Sequence, residues 1–531
     1  MSRPAAPRPQ VNKWLVTLSV SFGTLMGAID ISIVNVALPH IRGAVGATIE
    51  EVTWISTGFV IATVVVMPLT GFLGRMFGQK RVYMSCLALF IAGSVLCGTA
   101  HSLWTLVFWR AVQGFGAGAL QPTEQAILRQ TFPPKEQGMA MAVFAMAVML
   151  GPAIGPTLGG WIVDNYSWPW IFYINVPIGL LGMFMVYSFV HEDPEIMEQN
   201  HALAAAQRKN VDYVGIALMF VGLATLQYFL EEGARNDWFE DRGITASFLV
   251  AIVSLVFFVA RELTARVPVV NLRLFKDEVY GSGTVIGAVM FAMLMANMFL
   301  LPLFMQELLG FTATQSGLAL MPRTLVMMVV TPFVGKLYNH VSPRLMVGFG
   351  IVMVSLGNWF QGHLTLASSQ QDVIWAIAVQ GIGFAFLFVP LTTVALSKIP
   401  RHLMSDATGL NSLFRQIGGS VGLAVFATLI THHGKIATAA VTAHVAETNP
   451  QTWQRLAGIQ AALQAKGYDV ASAKAAALQA LSGAVQQQGM VISFEKVFLI
   501  AGIVFMAVLP LLWFLRSPAH GGPAEAVHVE M

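Results

Sequence analysis

Charge is what this sequence has least of. Asp, Glu, Lys and Arg make up 11% of its 531 residues, against about 25% in a typical soluble domain. So few charges cannot clothe a surface of this size in water, which excludes a soluble enzyme, a string of soluble domains, and a disordered chain. A strong imbalance of sign is missing too. The net charge of +3 gives no broad basic face for nucleic acid. Cysteine is scarce. Cys86 and Cys97 are the only two, and on one predicted helix they stand roughly 16 Å apart, too far to bridge. No phosphate-cradling P-loop occurs, so ATP hydrolysis is not expected. No zinc-type spacing occurs and His432-His433 reads as a wet pair, so neither a metal nor an organic cofactor is expected. No reactive pair at one depth suggests an enzyme.

Apolar residues are abundant instead, at 56%, and they come in runs long enough to cross a bilayer as helices. Fourteen stretches qualify: 14–38, 52–73, 82–100, 104–127, 139–163, 171–190, 212–231, 245–265, 280–306, 314–338, 344–364, 372–397, 407–430 and 492–515. Long runs of this kind specify helices rather than the alternating strands of a barrel. The expected class is therefore an all-α membrane protein. Lys and Arg placement sets its orientation. With the N-terminus inside, the inner loops hold Arg75/Lys80/Arg81, Arg129/Lys135, Arg208/Lys209, Arg266/Arg273/Lys276, Lys336/Arg344 and Lys398/Arg401, and the short outer loops only Arg42, Arg235 and Arg242. That bias predicts both termini in the cytoplasm. The long outer loop 431–491 is exempt from the rule. Its apolar residues at helical spacing (Trp453, Leu456, Leu463; Leu478, Leu481, Val485) fit short surface helices or a loosely ordered connector.

The chain also repeats. Gln113-Gly114-Phe115-Gly116 recurs as Gln380-Gly381-Ile382-Gly383, and the same offset of 267 carries Pro133 onto Pro400, Gly151 onto Gly418 and Gly155 onto Gly422. Two copies of six helices, with two more inserted between them, follow. The expected organisation is 1–13 N-terminal, 14–190 first half, 191–211 linker, 212–265 inserted hairpin, 280–515 second half and 516–531 tail, the first, the linker and the last being cytoplasmic. Paired repeats place substrate sites near the midplane between halves that rock to give alternating access.

Several residues stand out against this background. Asp30 lies deep in the first helix, where a charge costs at least about 2.5–3.5 kcal/mol; it reads as functional or as an acid satisfied by neighbouring helices. Arg110 in the fourth helix lies at the same depth, roughly 9–12 Å below the outer end, so the two can pair. Arg110, Gln113, Ala117, Gln121 and Glu124 share one face of that helix, which reads as a cavity lining or a polar seam between helices. Glu124 is ~21 Å from Arg110 along the axis. Asn297, Gln306, Glu307 and Gln380 are further cavity candidates, among the methionines and phenylalanines of 290–299, which suit either a broad pocket or plain packing. Gly151, Gly155, Gly159 and Gly160, with Pro152 and Pro156, form a small-residue stripe. It is expected to be a sliding contact between halves or an ordinary close helix contact.

These stretches resemble the signatures of a known family. Leu73-Gly74-Arg75-Met76-Phe77-Gly78-Gln79-Lys80-Arg81 after Gly71 resembles the loop signature of the major facilitator superfamily. Gly151 to Gly160 resembles its antiporter motif, and 106–116 its fourth-helix motif. Ile29 to Pro39 and Trp170 to Gly179 are similar to the fourteen-helix drug:proton antiporters of the EmrB/QacA type. The resemblance covers the whole chain and implies the major facilitator fold. It implies proton-coupled export of lipophilic, often cationic compounds across a bacterial inner membrane, with the proton as coupling ion; on burial and charge, Asp30, Arg110 and Glu124 are the expected coupling residues, a proton and a cationic drug alternating at Asp30 or Glu124. An exporter of an endogenous metabolite, such as a fatty acid, siderophore or lysolipid, is the alternative. It further implies an EmrA-like periplasmic adaptor and a TolC-like outer-membrane channel, with 431–491 as the docking candidate. One departure stands out. The loop signature usually has an aspartate where Arg75 stands, an acid that pairs across the cytoplasmic gate, so that ion pair is not expected here. Gly71, Gly78 and Arg81 keep the pattern.

Overall fold

Each helix begins and ends where the local chemistry dictates. The first, α1 (Lys13–Val45), starts after Asn12, whose side chain accepts from the Trp14 N–H, and stops at Gly46 in the left-handed region, φ 67°. After the one-turn α2 (Ile49–Val52), Pro68 breaks the next pass into α3 (Trp54–Val66) and α4 (Thr70–Phe77). Then come α5 (Gln79–Gly98), α6 (Leu103–Thr131), α7 (Gln137–Asn165), and one pass divided into α8 (Trp170–Tyr173) and α9 (Asn175–Phe189). Beyond α10 (Pro194–Lys209) stand α11 (Tyr213–Glu232) and α12 (Arg242–Thr264). The second half holds α13 (Glu278–Glu307), α14 (Ala313–Leu337), α15 (Pro343–Gln361), α16 (Gln370–Ala395), α17 (Met404–His444), α18 (Pro450–Ala465) and α19 (Val470–Met506).

This computed structural model describes residues 12–192, 194–209, 211–265, 268–445 and 449–515. The N-terminal segment before residue 12, Arg266 and the tail 516–531 lie outside the described residues. Every regular element among the described residues is helical. Thirteen of these helical stretches are long and apolar enough to cross a membrane, one fewer than expected. The fourteenth, α6, carries Arg110, Gln113, Glu124 and Arg129 on buried positions, so burial by neighbouring helices takes the place of uniform apolarity.

Packing follows the repeat. Within the first half α1 lies on α7, α5 on α6 and α3 on α6; within the second, α13 lies on α17, α15 on α16 and α14 on α16. The glycine stripes explain the closest of these contacts. A Cβ on Gly155 would meet Ser32, and one on Gly159 would come within 3.2 Å of Ile33, both on α1. A Cβ on Gly418 or Gly422 would strike the backbone of Ala288 or Ala292 on α13. The expected sliding contact between halves is thus corrected. The stripe packs α7 onto α1 inside its own half, because absence of side chains lets two backbones meet there. Gly160 faces open space.

One end of the bundle carries the Lys and Arg clusters and can be called the basic end. Lys13 pairs there with Glu136. α10 lies against α4 at that end, and Lys80 N–H bonds Glu192 at 2.8 Å. The hydrogen bonds joining the two halves gather here as well. Gln130 donates to the Arg401 carbonyl at 2.8 Å and Asn339 to the Lys135 carbonyl at 2.7 Å. Above them Phe144 of α7 meets Phe388 of α16, 6.1 Å between centroids. Toward the other end α11 touches both α3 and α17. Tyr228 stacks on Trp54, and Gln227 bonds Ser420 at 2.7 Å. The inserted hairpin therefore straddles the seam between the halves.

The loop expected at 431–491 is mostly helix. α17 runs on to His444, α18 forms a separate rod and α19 begins at Val470. Leu456 is buried, whereas Trp453 and Leu478 are exposed.

The α1–α7 contact gives a direct test. Gly151→Val would place its Cβ on Ala28, and overpacking of this kind costs about 1–3 kcal/mol. The variant is expected to unfold at a lower temperature in detergent, and Gly160→Val to unfold like the parent.

Candidate functional site

The first-half site is built from four elements. α1 presents Asp30, α6 presents Arg110 and Gln113, α5 presents Ser94 and α9 presents Asn175, and all five are buried. Arg110 Nη1 donates to Asp30 Oδ2 at 2.5 Å and to Gln113 Oε1 at 2.7 Å. Asp30 Oδ1 accepts from Gln113 Nε2 at 3.0 Å and from Asn175 Nδ2 at 2.9 Å. Ser94 Oγ accepts from the same two amides at 2.6 and 3.0 Å. Arg110 Nε reaches the Ile55 carbonyl at 3.3 Å, and its guanidinium lies over Phe59, 4.2 Å from the centroid. Both charges of this pair are thus compensated and hydrogen-bonded, the condition under which a buried ion pair is tolerated.

Glu124 stands apart. It is fully buried where α6 faces α1, and Ser21 donates to its Oε1 at 2.9 Å. Oε2 has no hydrogen-bond partner and, among the described residues, no cation pairs with it. Thr123, Gln125 and Thr24 nearby also have buried polar atoms without partners.

A third cluster closes the basic end. Arg75 at the end of α4 pairs with Asp406 in the first turn of α17, and both are buried. Gln79 Nε2 donates to Ser405 Oγ at 2.8 Å beside them. Gly71 faces Asp406 so closely that any Cβ would collide with it. Gly78 has φ 87°, a conformation that side chains disfavour. Arg81 lies exposed at the start of α5. The expectation of a missing gate pair is therefore corrected. The pair exists with its signs exchanged, the cation on α4 and the carboxylate on α17.

Of the cavity candidates, Gln113 belongs to the Asp30 network. Gln380 is likewise buried in its own half, bonding Asn358 at 3.2 Å. The two repeat partners hold equivalent places, each against a glycine of the preceding helix, Gly93 and Gly357. They stabilise the cores of the halves rather than line a space between them. Gln306 and Glu307 are exposed in the last turn of α13, because the helix ends there and not deeper. Asn297 is buried and donates to the Met293 carbonyl at 2.8 Å. Gln121 is half-buried. Met290 and Met293 belong to the main apolar core, which settles those two as packing. Pro152 and Pro156 lie within α7, which continues through both.

Sequence reasoning did not single out Asn175, Ser94, Ser21 and Asp406. Asn175 lay inside the quoted stretch 170–179, where an amide among apolar residues was a usable signal. Asp406 fell one residue before an assigned span. A reversed charge at Arg75 was itself the hint that a carboxylate should be sought on the facing helix.

Comparison with known proteins agrees with this architecture. The family model of the Major Facilitator Superfamily matches residues 20–423. The chain is 33% identical over 512 residues to the fatty acid resistance protein FarB of Neisseria gonorrhoeae, covering 96% of this chain and 97% of that protein. It is 31% identical over 520 residues to the multidrug export protein EmrB of Escherichia coli K12, covering 97% and 98%. Among solved structures, the proton:xylose symporter XylE superposes with a TM-score of 0.60 at 13% identity, over 94% of this chain and 96% of that one. At that identity the likeness concerns the fold.

Two outcomes follow from the buried pairs. Breaking a buried ion pair typically costs about 3–5 kcal/mol. Arg75→Asp and Asp406→Arg should each lower the thermal midpoint, and the double variant should recover most of the loss. Asp30→Asn should destabilise the first half by a comparable amount, read as reduced folded yield and midpoint, since it leaves Arg110 charged and unpaired.

Proposed function

The chain belongs to the major facilitator superfamily, in its EmrB-like branch, and we propose that it exports lipophilic compounds, cationic ones among them, in exchange for protons. It is a multi-pass membrane protein and a transporter rather than an enzyme. The reading extends to a bacterial cytoplasmic membrane with both termini inside, so that the basic end faces the cytoplasm; the Lys and Arg bias supports this.

The observation that carries the coupling is the contrast between the two buried acids of the first half. Asp30 has a cation and two amide donors. Glu124 has a hydroxyl and no cation. An isolated buried ion costs several kcal/mol, so Glu124 fits this closed interior as the neutral acid. In this reading Glu124 takes and releases the proton, while Asp30 and Arg110 hold α1, α5, α6 and α9 together as one body.

A cycle follows. With the basic end closed by Arg75–Asp406, Glu124 binds a proton from outside. Opening of the basic end wets the site, the proton leaves to the cytoplasm, and the carboxylate becomes free to attract a lipophilic cation. Proton and cation exclude one another at one carboxyl, which couples their opposite movements. The membrane potential adds about 2.3 kcal/mol per charge per 100 mV. A second reading, export of an amphipathic acid, is favoured by the likeness to FarB. An EmrA-like adaptor and a TolC-like channel are part of the proposal by the likeness to EmrB, with α18 and the outer ends of α17 and α19 as their contact.

The test is reconstitution in liposomes with an imposed pH gradient and tetraphenylphosphonium as the cation. The parent protein should accumulate it. Glu124→Gln should lose both gradient-driven accumulation and exchange of labelled for unlabelled cation, because the amide neither releases a proton nor attracts the cation. A Glu124→Gln protein that still concentrates the cation against its gradient would remove Glu124 from the coupling. A parent protein indifferent to the gradient would remove antiport altogether.

A further inference from the structure

The second half contains a charge that the coupling scheme leaves unused. Its buried charged residues, among those described, are Arg323, Asp406 and Arg415. Asp406 is taken by Arg75 of the other half. No carboxylate among the described residues pairs with Arg415 or Arg323.

Arg415 lies eleven residues beyond the start of α17 at Met404, ~16 Å up the helix and hence near mid-depth. The residue is 2% exposed. Nη2 makes one long hydrogen bond to Ser412 Oγ, 3.4 Å. Nε and Nη1 have no partner. The group lies over Phe291 of α13 at 5.1 Å and Phe388 of α16 at 5.6 Å. Phe388 in turn touches Phe144 of the first half, which places Arg415 one ring away from the seam between the halves. The Arg415 stem runs past Gly287, where a Cβ would lie 3.7 Å from Cγ, in ordinary van der Waals contact. Arg323 on α14 repeats the condition at similar depth, with Nη1 unpartnered.

A guanidinium keeps its proton in any protein setting, so it cannot escape the cost of burial by becoming neutral. Its planar fork matches a carboxylate, a sulfonate or a phosphate ester. The flanking phenylalanines supply an apolar wall on the side facing the seam. We propose that Arg415, with Phe291 and Phe388, forms a substrate subsite for the head group of a lipophilic organic anion, separate from Glu124. This deepens the export reading and rests on it. Anionic cargo is held on the second half and protons or cations on the first, so the two halves divide substrates by sign.

The test pairs two probes of opposite charge built on ten-carbon chains, decanoate and decyltrimethylammonium. Binding of each is measured on the full-length protein in lipid nanodiscs, with empty nanodiscs subtracted. Arg415→Met keeps the length and apolar contacts of the stem, and Arg415→Lys keeps the charge without the fork. Arg415→Met should weaken decanoate binding roughly tenfold or more, the scale of a lost charge-assisted hydrogen bond, and leave decyltrimethylammonium unchanged. Arg415→Lys should restore part of the decanoate affinity. The proposal is overturned if the parent protein does not bind decanoate. It is equally overturned if Arg415→Met binds decanoate like the parent, or if both probes weaken together. Failure of export is a different result: decanoate binding sensitive to Arg415, with no movement of either probe down a pH gradient in liposomes.

Discussion

Burying charge in an apolar interior is expensive, and the arrangement of this bundle turns on how each buried charge meets that cost. Two pairs meet it by mutual compensation. Asp30 with Arg110 fastens helices within one half, and Arg75 with Asp406 fastens one half to the other. Other buried groups among those described are left without a countercharge, among them Glu124 in the first half and Arg323 and Arg415 in the second. The paired charges hold the scaffold and the gate. In the proposed scheme the unpaired Glu124 and Arg415 are the groups that exchange partners with proton and cargo.

The repeat shows how the halves came to differ. The offset that joins Gln113 to Gln380 also places Asn297 opposite Asp30 and Ile377 opposite Arg110. The second copy therefore keeps the amide at the core of the network and replaces its ion pair with a neutral residue and an apolar one. Its glycine stripe is retained, and α17 packs on α13 as α7 packs on α1. Packing was preserved while the electrostatics were redistributed, which is why two similar bundles can hold opposite kinds of group.

Much of this was legible in the sequence, for identifiable reasons. Long apolar runs give membrane helices because the backbone must satisfy itself there. The equal depth of Asp30 and Arg110 follows from helical rise alone. What escaped were properties that depend on which face turns where. Gln113 and Gln380 share a stripe or a motif with candidate cavity residues, yet rotate into their own halves. The Gly151 stripe announces a close contact without naming its partner. Arg75 was a departure from a pattern, and only the facing helix reveals that Asp406 makes the departure a reversal. In the outer segment the apolar spacing pointed to short helices but left a loose connector open, and the continuation of α17 and α19 into it was not readable, because alanine-rich stretches carry little apolar periodicity.

The length of α17 has its own consequence. At 41 residues it spans ~60 Å, about twice the hydrocarbon thickness. Its foot holds the gate carboxylate Asp406 and its far tip lies beside α19 near Thr442 and Gln486. A stiff rod that turned about its foot would act as a lever. Rotation by about ten degrees at the gate sweeps a tip ~60 Å away through about 10 Å. A companion protein gripping that tip could sense whether the inner door is shut without touching cargo, and time its own opening to the stroke.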